Sequence, residues 1–289
     1  MTQEKRIRKP DWLKIRLGNN EQFSATGHIV SSQKLHTICQ SGRCPNLGEC
    51  WNQGAATFMI AGDICTRACK FCNTKSGKPL PLDPGEPTRV ASSVRELELK
   101  HIVLTSVDRD DLPDLGAEHW AECIRKIKEI NPGISMEVLI PDFQGRTECL
   151  DLVISSQPEI ISHNLETVER LTPQIRSVAG YKQSLKVLSY ISSAGIPTKS
   201  GLMLGLGETE AEVRTSMRDL LEAGCSFLSV GQYLQPSKKN IPVKEYISPE
   251  IFEKHRGMAL QMGFKHVESG PLVRSSYNSV KFLHFCYKR

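Results

Sequence analysis

Six of the ten cysteines in this chain of 289 residues fall in two compact groups between Cys39 and Cys72, so any fold it adopts must gather thiols twice within one short stretch. The second group reads Cys65-Thr-Arg-Ala-Cys69-Lys-Phe-Cys72, spacing CxxxCxxC. Three thiolates in one tight loop can hold three irons of a 4Fe-4S cluster and leave the fourth iron open for a substrate or cofactor. A structural zinc site normally takes four protein ligands, and no fourth Cys or His follows at short spacing. Three buried free cysteines are the remaining alternative. The first group reads Cys39-Gln-Ser-Gly-Arg-Cys44-Pro-Asn-Leu-Gly-Glu-Cys50, spacing CxxxxCxxxxxC, and its breakers Gly42, Pro45 and Gly48 predict a loop rather than a helix. That loop can wrap a second cluster, with a zinc site that adds His36 as the alternative. One iron of such a cluster lacks a ligand; His36, His284 and Cys286 are the ordinary choices, and thiolate chemistry favours Cys286.

The stretch Met1–Leu17 is basic and lacks the apolar core of a secretory signal, and no apolar run approaches the roughly 20 residues that cross a bilayer. Ten cysteines in such a chain point to free thiols in a reducing compartment, hence to metal rather than disulfides and to a cytoplasmic setting. The net charge of +5 is concentrated at the ends, with six basic against two acidic residues in Met1–Gly18 and four against none in Arg274–Arg289. Such ends suit either an acidic partner or plain solvated tails.

Strand-like apolar runs recur at Thr57–Ala61, His101–Val107, Ser135–Ile140, Glu159–His163, Thr198–Leu204 and Ser226–Tyr233. Helix-like segments lie between them at Thr88–Leu99, Ala117–Ile130, Thr147–Ser155, Tyr181–Ala194 and Thr209–Ala223. This alternation predicts a parallel sheet with crossover helices. Thr209 with Glu212 forms a capping box, and Ser248 before Pro249 marks another helix start. Six βα units are fewer than the eight of a closed barrel, so the expected fold is α/β, a partial (β/α)6 TIM-type barrel with N-terminal and C-terminal extensions. The expected divisions are 1–54, with the first cysteine loop; 55–247, the barrel; and 248–289, a helix and tail. Chemistry in such barrels sits at the C-terminal ends of the strands, which singles out Asp63–Cys72, Thr105–Asp111, Asn164–Glu166, Gly205–Thr209 and Gln235.

CxxxCxxC with an aromatic before its last cysteine, directly after a first barrel strand, resembles the radical S-adenosylmethionine superfamily. Taken with the upstream triplet, the blocks Ile140-Pro-Asp-Phe143, Ser162-His-Asn-Leu-Glu-Thr167, Thr198-Lys-Ser-Gly-Leu-Met-Leu-Gly-Leu-Gly-Glu-Thr209, Gly231-Gln-Tyr-Leu-Gln-Pro-Ser237 and Gly270-Pro-Leu-Val-Arg-Ser-Ser-Tyr277 resemble the lipoyl synthase family over nearly the whole chain, from Lys9 to Tyr277. The resemblance implies that Cys65, Cys69 and Cys72 hold a 4Fe-4S cluster whose open iron binds S-adenosylmethionine and cleaves it to a 5′-deoxyadenosyl radical. It implies further that Cys39, Cys44 and Cys50 hold an auxiliary 4Fe-4S cluster whose fourth ligand is Ser276, in place of Cys286. An alkoxide is a harder ligand than thiolate and more easily lost, which suits a cluster taken apart in each turnover.

The implied reaction inserts two sulfurs from the auxiliary cluster at C6 and C8 of an octanoyl chain on a carrier lysine, using two S-adenosylmethionine molecules. The implied partners are octanoylated lipoyl carrier domains (glycine cleavage H protein, 2-oxoacid dehydrogenase E2 subunits), an electron-donor protein and a cluster-repair protein, with neither nucleic acid nor membrane. The octanoyl chain has to lie between the clusters, so the N-terminal loop and C-terminal tail are expected to meet over the barrel mouth. Phe71, Thr105, Asn164 and Glu166 are the expected cofactor contacts; Asn164, the better candidate, and Glu166 follow the fourth strand, where they can hydrogen-bond the ribose or methionine part, although Glu166 can equally be read as a helix cap. Asp108, Arg109, Asp110 and Asp111 read locally as a solvated charge run, and only their place at the barrel mouth favours a binding role. Leu115 stands where the family usually has glycine, which puts that loop's backbone in question. Gly205 and Gly207 permit a close backbone approach, and Cys123, Cys149 and Cys225 read as buried small apolar residues.

Overall fold

The computed structural model describes residues 8–14, 21–53 and 55–286. Most of the basic stretch Met1–Gly18, the division at residue 54 and the last three residues of the basic C-terminal stretch lie outside the described residues. The chain opens with helix α1 (Glu21–Ser32), strand β1 (His36–Thr37) and two short helices, α2 (Ile38–Ser41) and α3 (Leu47–Asn52). Strand β2 (Thr57–Ile60) follows, then a small parallel pair, β3 (Ile64–Cys65) and β4 (Lys75–Ser76). Helix α4 (Glu86–Glu96) leads to β5 (His101–Ser106), α5 (Ala117–Ile130), β6 (Ser135–Leu139), α6 (Thr147–Ser155) and β7 (Ile160–Ser162). Next come α7 (Thr172–Ile175), α8 (Tyr181–Ser193), β8 (Thr198–Leu204), α9 (Glu210–Glu222) and β9 (Phe227–Gln232). The last elements are α10 (Pro249–Met262), β10 (His266–Gly270) and α11 (Val280–Cys286).

The main sheet runs β1-β2-β5-β6-β7-β8-β9-β10, parallel throughout except for the antiparallel β1–β2 edge, and does not close. This is the expected partial α/β barrel with one more parallel strand than the six anticipated. Strand β10 comes from the segment assigned to the C-terminal extension and pairs in register with β9 from His266↔Phe227 to Gly270↔Gly231. Helices pack outside because their apolar residues recur at helical spacing. In α5, Ala117, Trp120, Ala121, Ile124 and Ile127 are all buried against the strands, each large side chain contributing about 1.5–3 kcal/mol. Strand residues alternate: Met136 and Val138 join that outer core, so Glu137 between them turns inward.

The Thr209–Glu212 capping box is present, and Ser248 is the N-cap of α10 with Pro249 at its first position. The first cysteine loop departs from the expectation. Cys39 lies in α2 and Cys50 in α3, with the break confined to the residues around Cys44 and Pro45. Thr37 caps α2 by accepting the Gln40 N–H, and Trp51 anchors α3 at 3% exposed. Both helices are too short for a periodic pattern and depend on those anchors. Among the described residues no helix is long and apolar enough to cross a membrane.

Leu115 keeps the left-handed backbone that a glycine would take freely, with φ 56, and buries its side chain in the core beside α5. The conformation costs about 1–2 kcal/mol for a residue with a Cβ, and burial of the isobutyl group offsets it. Leu115→Gly should therefore relieve strain yet leave a cavity, for a net loss of about 1–3 kcal/mol in urea denaturation. A more stable variant would show that the strain outweighs the packing.

Candidate active site

The strand ends converge on a cavity of about 330 Å³ whose walls carry Cys65, Cys69, Phe71 and Cys72 from the second triplet loop. Gly42, Arg43 and Pro45 of the first triplet border the same space, as do Val273, Arg274 and Ser275 of the C-terminal tail. Leu139, Ile140, Leu202 and Met203 supply apolar wall. The size lies at the lower end of the roughly 300–1,000 Å³ typical of small-molecule sites.

The second triplet is fixed by its backbone. Pairing of β3 with β4 closes the loop, and the Gly77 N–H donates to the Cys65 carbonyl at 2.9 Å. Asn240 reaches over from beyond β9, its amide donating to the carbonyls of Lys70 (3.2 Å) and Cys72 (2.8 Å). The N–H groups of Arg67 and Asp108 point at Cys65 Sγ, at 3.3 and 3.4 Å. Burial first, and then Asp108, push the Cys65 thiol up to about 12. A thiol held there becomes a thiolate only beside a compensating cation, as cluster ligation provides.

The charge run after β5 is buried or half-buried except at Asp111, which is exposed. Arg67, 5% exposed, forms ion pairs with Asp108 (3.2 Å), Asp110 (2.7 Å) and Asp142 (2.8 Å). Arg109, 3% exposed, pairs with Asp111 and donates to the Ala61 carbonyl. The partner that the acids lacked in local sequence is the arginine inside the cysteine motif. Burial alone would raise Asp110, but hydrogen bonds from Arg67, Gln144 and Thr66 bring it from 3.8 down to about 2. Asp108 moves the other way, burial lifting it despite Arg67.

The four expected cofactor-contact positions all line the cavity. Thr105 donates its hydroxyl proton to the Leu139 carbonyl at 3.1 Å, leaving its lone pairs free. Phe71 packs on the core around β8 and β9. Glu166 does not cap a helix. It sits at φ 69 in a bridge to Leu202, its buried carboxyl accepts from Asn164 Nδ2 at 3.1 Å, and burial raises its pKa before Arg176 pulls it back. Asn164 Oδ1 and Ser229 Oγ are buried on the cavity wall without a hydrogen-bond partner. An unsatisfied buried acceptor costs about 1–3 kcal/mol, so the cavity suits a ligand with polar hydrogens, as an amino or ribosyl group has. Gly201 makes the room, since a Cβ there would lie 2.8 Å from Asn164 Oδ1. Gly205 and Gly207 both adopt positive φ, 95° and 101°.

In the first triplet, burial pushes Cys39 up to about 11 and Cys50 up to about 12, and Cys39 and Cys44 add to the rise at Cys50, as thiols crowded together must. The tail folds against them. Asn46 donates to the Leu272 carbonyl at 2.7 Å, Tyr277 donates to Glu49 at 3.2 Å, and burial lowers the pKa of the half-buried Arg274. In sequence, Ser276 lies between Arg274 and Tyr277. Gly231 lets the tail pass, because a Cβ there would strike the Val273 carbonyl. The loop and tail thus meet over the barrel mouth. Cys286, the choice that thiolate chemistry alone favours, packs with Ile160 and Phe227 at the starts of β7 and β9, the opposite end of the barrel. Cys123, Cys149 and Cys225 are buried, as expected. Among the described residues no three Cys, His, Asp or Glu side chains converge as ligands of one metal ion do; the thiolates of a four-iron cube bind separate irons and stand further apart.

Sequence reasoning missed Arg67, Asn240 and Ser229, whose roles depend on residues distant in the chain. Because its folded value lies below the unfolded one, Asp110 contributes stability that is full above about pH 4 and lost as the pH falls through about 2. Arg67→Gln removes the cation, so the stability gap between native and variant chains should be widest near neutrality and close over that interval in urea denaturation. A gap that ignores pH would show that Arg67 does not hold the carboxylate.

The family model described as the Radical SAM superfamily matches residues 59–220. The curated lipoyl synthase of Parabacteroides distasonis is 64% identical over 277 residues, 96% of this chain and 99% of that protein. One from Bacteroides fragilis is 61% identical over 285 residues, 99% of each. The crystal structure of methylornithine synthase (PylB) matches with a TM-score of 0.56 over 87% of this chain and 83% of that one, at 13% identity, a likeness of fold alone. With its cysteines, cavity and tail arranged as above, the chain belongs to the lipoyl synthase family, within the radical S-adenosylmethionine superfamily.

Proposed function

We propose that this enzyme inserts two sulfur atoms, at C6 and C8, into an octanoyl group carried on a lysine of a lipoyl carrier domain, and that its two cysteine triplets hold two 4Fe-4S clusters with unequal tasks. The observation that carries this reading is the single cavity bordered by the second triplet, by the first triplet's loop and by the tail. Cys65, Cys69 and Cys72 would hold the cluster that binds S-adenosylmethionine; Cys39, Cys44, Cys50 and Ser276 would hold the auxiliary one. When bound, the first cluster and its cofactor supply a radical that abstracts hydrogen, and the auxiliary cluster supplies sulfur.

The chain's own part is to bind, orient and exclude water. Asn164 Oδ1 and Ser229 Oγ accept from polar hydrogens of the cofactor, and Phe71 packs beside it. Leu139, Ile140, Leu202 and Met203 hold the acyl chain by its methylenes and keep the cavity dry. The N–H groups of Arg67 and Asp108 stabilise Cys65 as a thiolate, since hydrogen bonds to cluster sulfurs favour the charged form. The partners required are the octanoylated glycine cleavage H protein and 2-oxoacid dehydrogenase E2 subunits, a protein electron donor and a protein that rebuilds the spent cluster, in a cytoplasm that keeps thiols reduced.

Anaerobically purified protein should hold about eight irons per chain, and Cys44→Ala about four. Ser276→Ala should lower sulfur insertion by at least about tenfold while affecting cofactor cleavage less. Labelled cluster sulfide should appear in the lipoyl product. Normal 5′-deoxyadenosine formation without label in product would leave the auxiliary cluster an electron carrier and sink the sulfur-donor reading.

A further inference from the structure

Lys199 lies inside the barrel on β8, 1% exposed, facing Glu137 of β6, which is wholly buried. Its ammonium donates to both Glu137 oxygens at 2.9 Å and to the backbone carbonyl of Ser275 at 2.5 Å. A lysine has three N–H donors, so these contacts satisfy it completely. Ser162 donates to the same carboxylate at 2.8 Å, and the Phe282 ring of α11 lies 3.9 Å from the ammonium. Removing two charges from water is costly, and apolar side chains of similar volume often serve stability as well or better. The pair therefore calls for a reason beyond stability, and the third contact supplies one.

The Ser275 carbonyl belongs to the same planar peptide unit as the Ser276 N–H. A charged donor on that oxygen fixes the plane from which Ser276 projects. We propose that Lys199 is a positioning residue which, seated by Glu137, locks the Ser275–Ser276 peptide and so aims the Ser276 hydroxyl at the auxiliary cluster; this rests on the reading of Ser276 as fourth ligand. Asn46 and Tyr277 tie the tail to the first triplet, whereas Lys199 ties it to the sheet from inside the barrel. Without that tie the peptide plane turns, the hydroxyl leaves its iron, and the iron is open to an outside ligand.

Cyanide titration of the iron-labelled holoprotein, read by Mössbauer spectroscopy with S-adenosylmethionine occupying the other open iron, tests this without turnover. Removing Lys199 alone would strand a buried carboxylate, so two paired variants are used. Lys199→Met with Glu137→Met fills the space with apolar groups. Lys199→Gln with Glu137→Gln keeps a mutual hydrogen bond but falls one atom short of the carbonyl, and so provides folded protein where the apolar pair does not. The native auxiliary cluster should resist cyanide and Ser276→Ala should bind it. Each folded pair should bind it about tenfold or more tightly than the native protein, the fold-change expected from losing one charge-assisted hydrogen bond. Paired variants that melt at a lower temperature yet resist cyanide like the native protein, while Ser276→Ala binds it, would make Lys199 merely structural and overturn the proposal. Ser276→Ala that also resists would instead remove the ligand assignment beneath it.

Discussion

The guanidinium of Arg67 lies two residues after Cys65 and takes its charge into a space enclosed by Asp108, Asp110 and Asp142, acids from the loops after β5 and β6. With its side chain only 4% exposed, it cannot leave without separating buried charges. The loop of the second triplet thereby takes its position from strands distant in sequence, and its cysteines share the rigidity of the sheet. A loop that must present three thiols at fixed corners needs such an anchor, because eight residues with their own side chains cannot bury enough surface to order themselves.

The first triplet is built on the opposite plan. Its two short helices lean on Thr37 and Trp51, and its open side is covered by the tail rather than by a strand loop. Order there is distributed over contacts between segments more than two hundred residues apart, such as Asn46 with Leu272. That difference matches the chemistry proposed for the two sites. A cluster that only passes electrons to a cofactor benefits from a rigid seat, whereas one that gives up sulfur must be dismantled and rebuilt, and a cover closed by a few hydrogen bonds can open for that.

What the sequence disclosed followed from how local each signal was. Ala117–Ile130, Thr147–Ser155 and Thr198–Leu204 have the bounds read from the sequence, because the two helices each bury an apolar face and the strand is buried along nearly its whole length. Strand β10 escaped notice since His266, Glu268 and Ser269 carry polar groups into half-buried positions, where bonds such as Ser269 to the Phe252 carbonyl satisfy them. The acids after β5 looked solvated because Arg67 is some forty residues upstream, and Lys199 looked like an ordinary strand residue because Glu137 and Ser275 lie 62 and 76 residues away. Charge pairs across a barrel leave no mark in a local window. The cysteines were readable because a cluster loop must gather them in sequence.

Leu115 shows how far the mouth of the barrel tolerates change when the backbone path is held. The loop from Asp108 to Gly116 crosses the cavity wall and then enters α5, with Leu115 and Gly116 both left-handed, φ 56 and 83. A glycine at 115 would adopt that path without cost but contribute nothing to packing; leucine pays for the conformation and adds a buried side chain to the core that also contains Trp120. The substitution is thus a local exchange of strain for burial on the outer face of the loop. A glycine held in the same left-handed conformation would leave the inner face, where Asp108 and Asp110 meet Arg67, on the same backbone course.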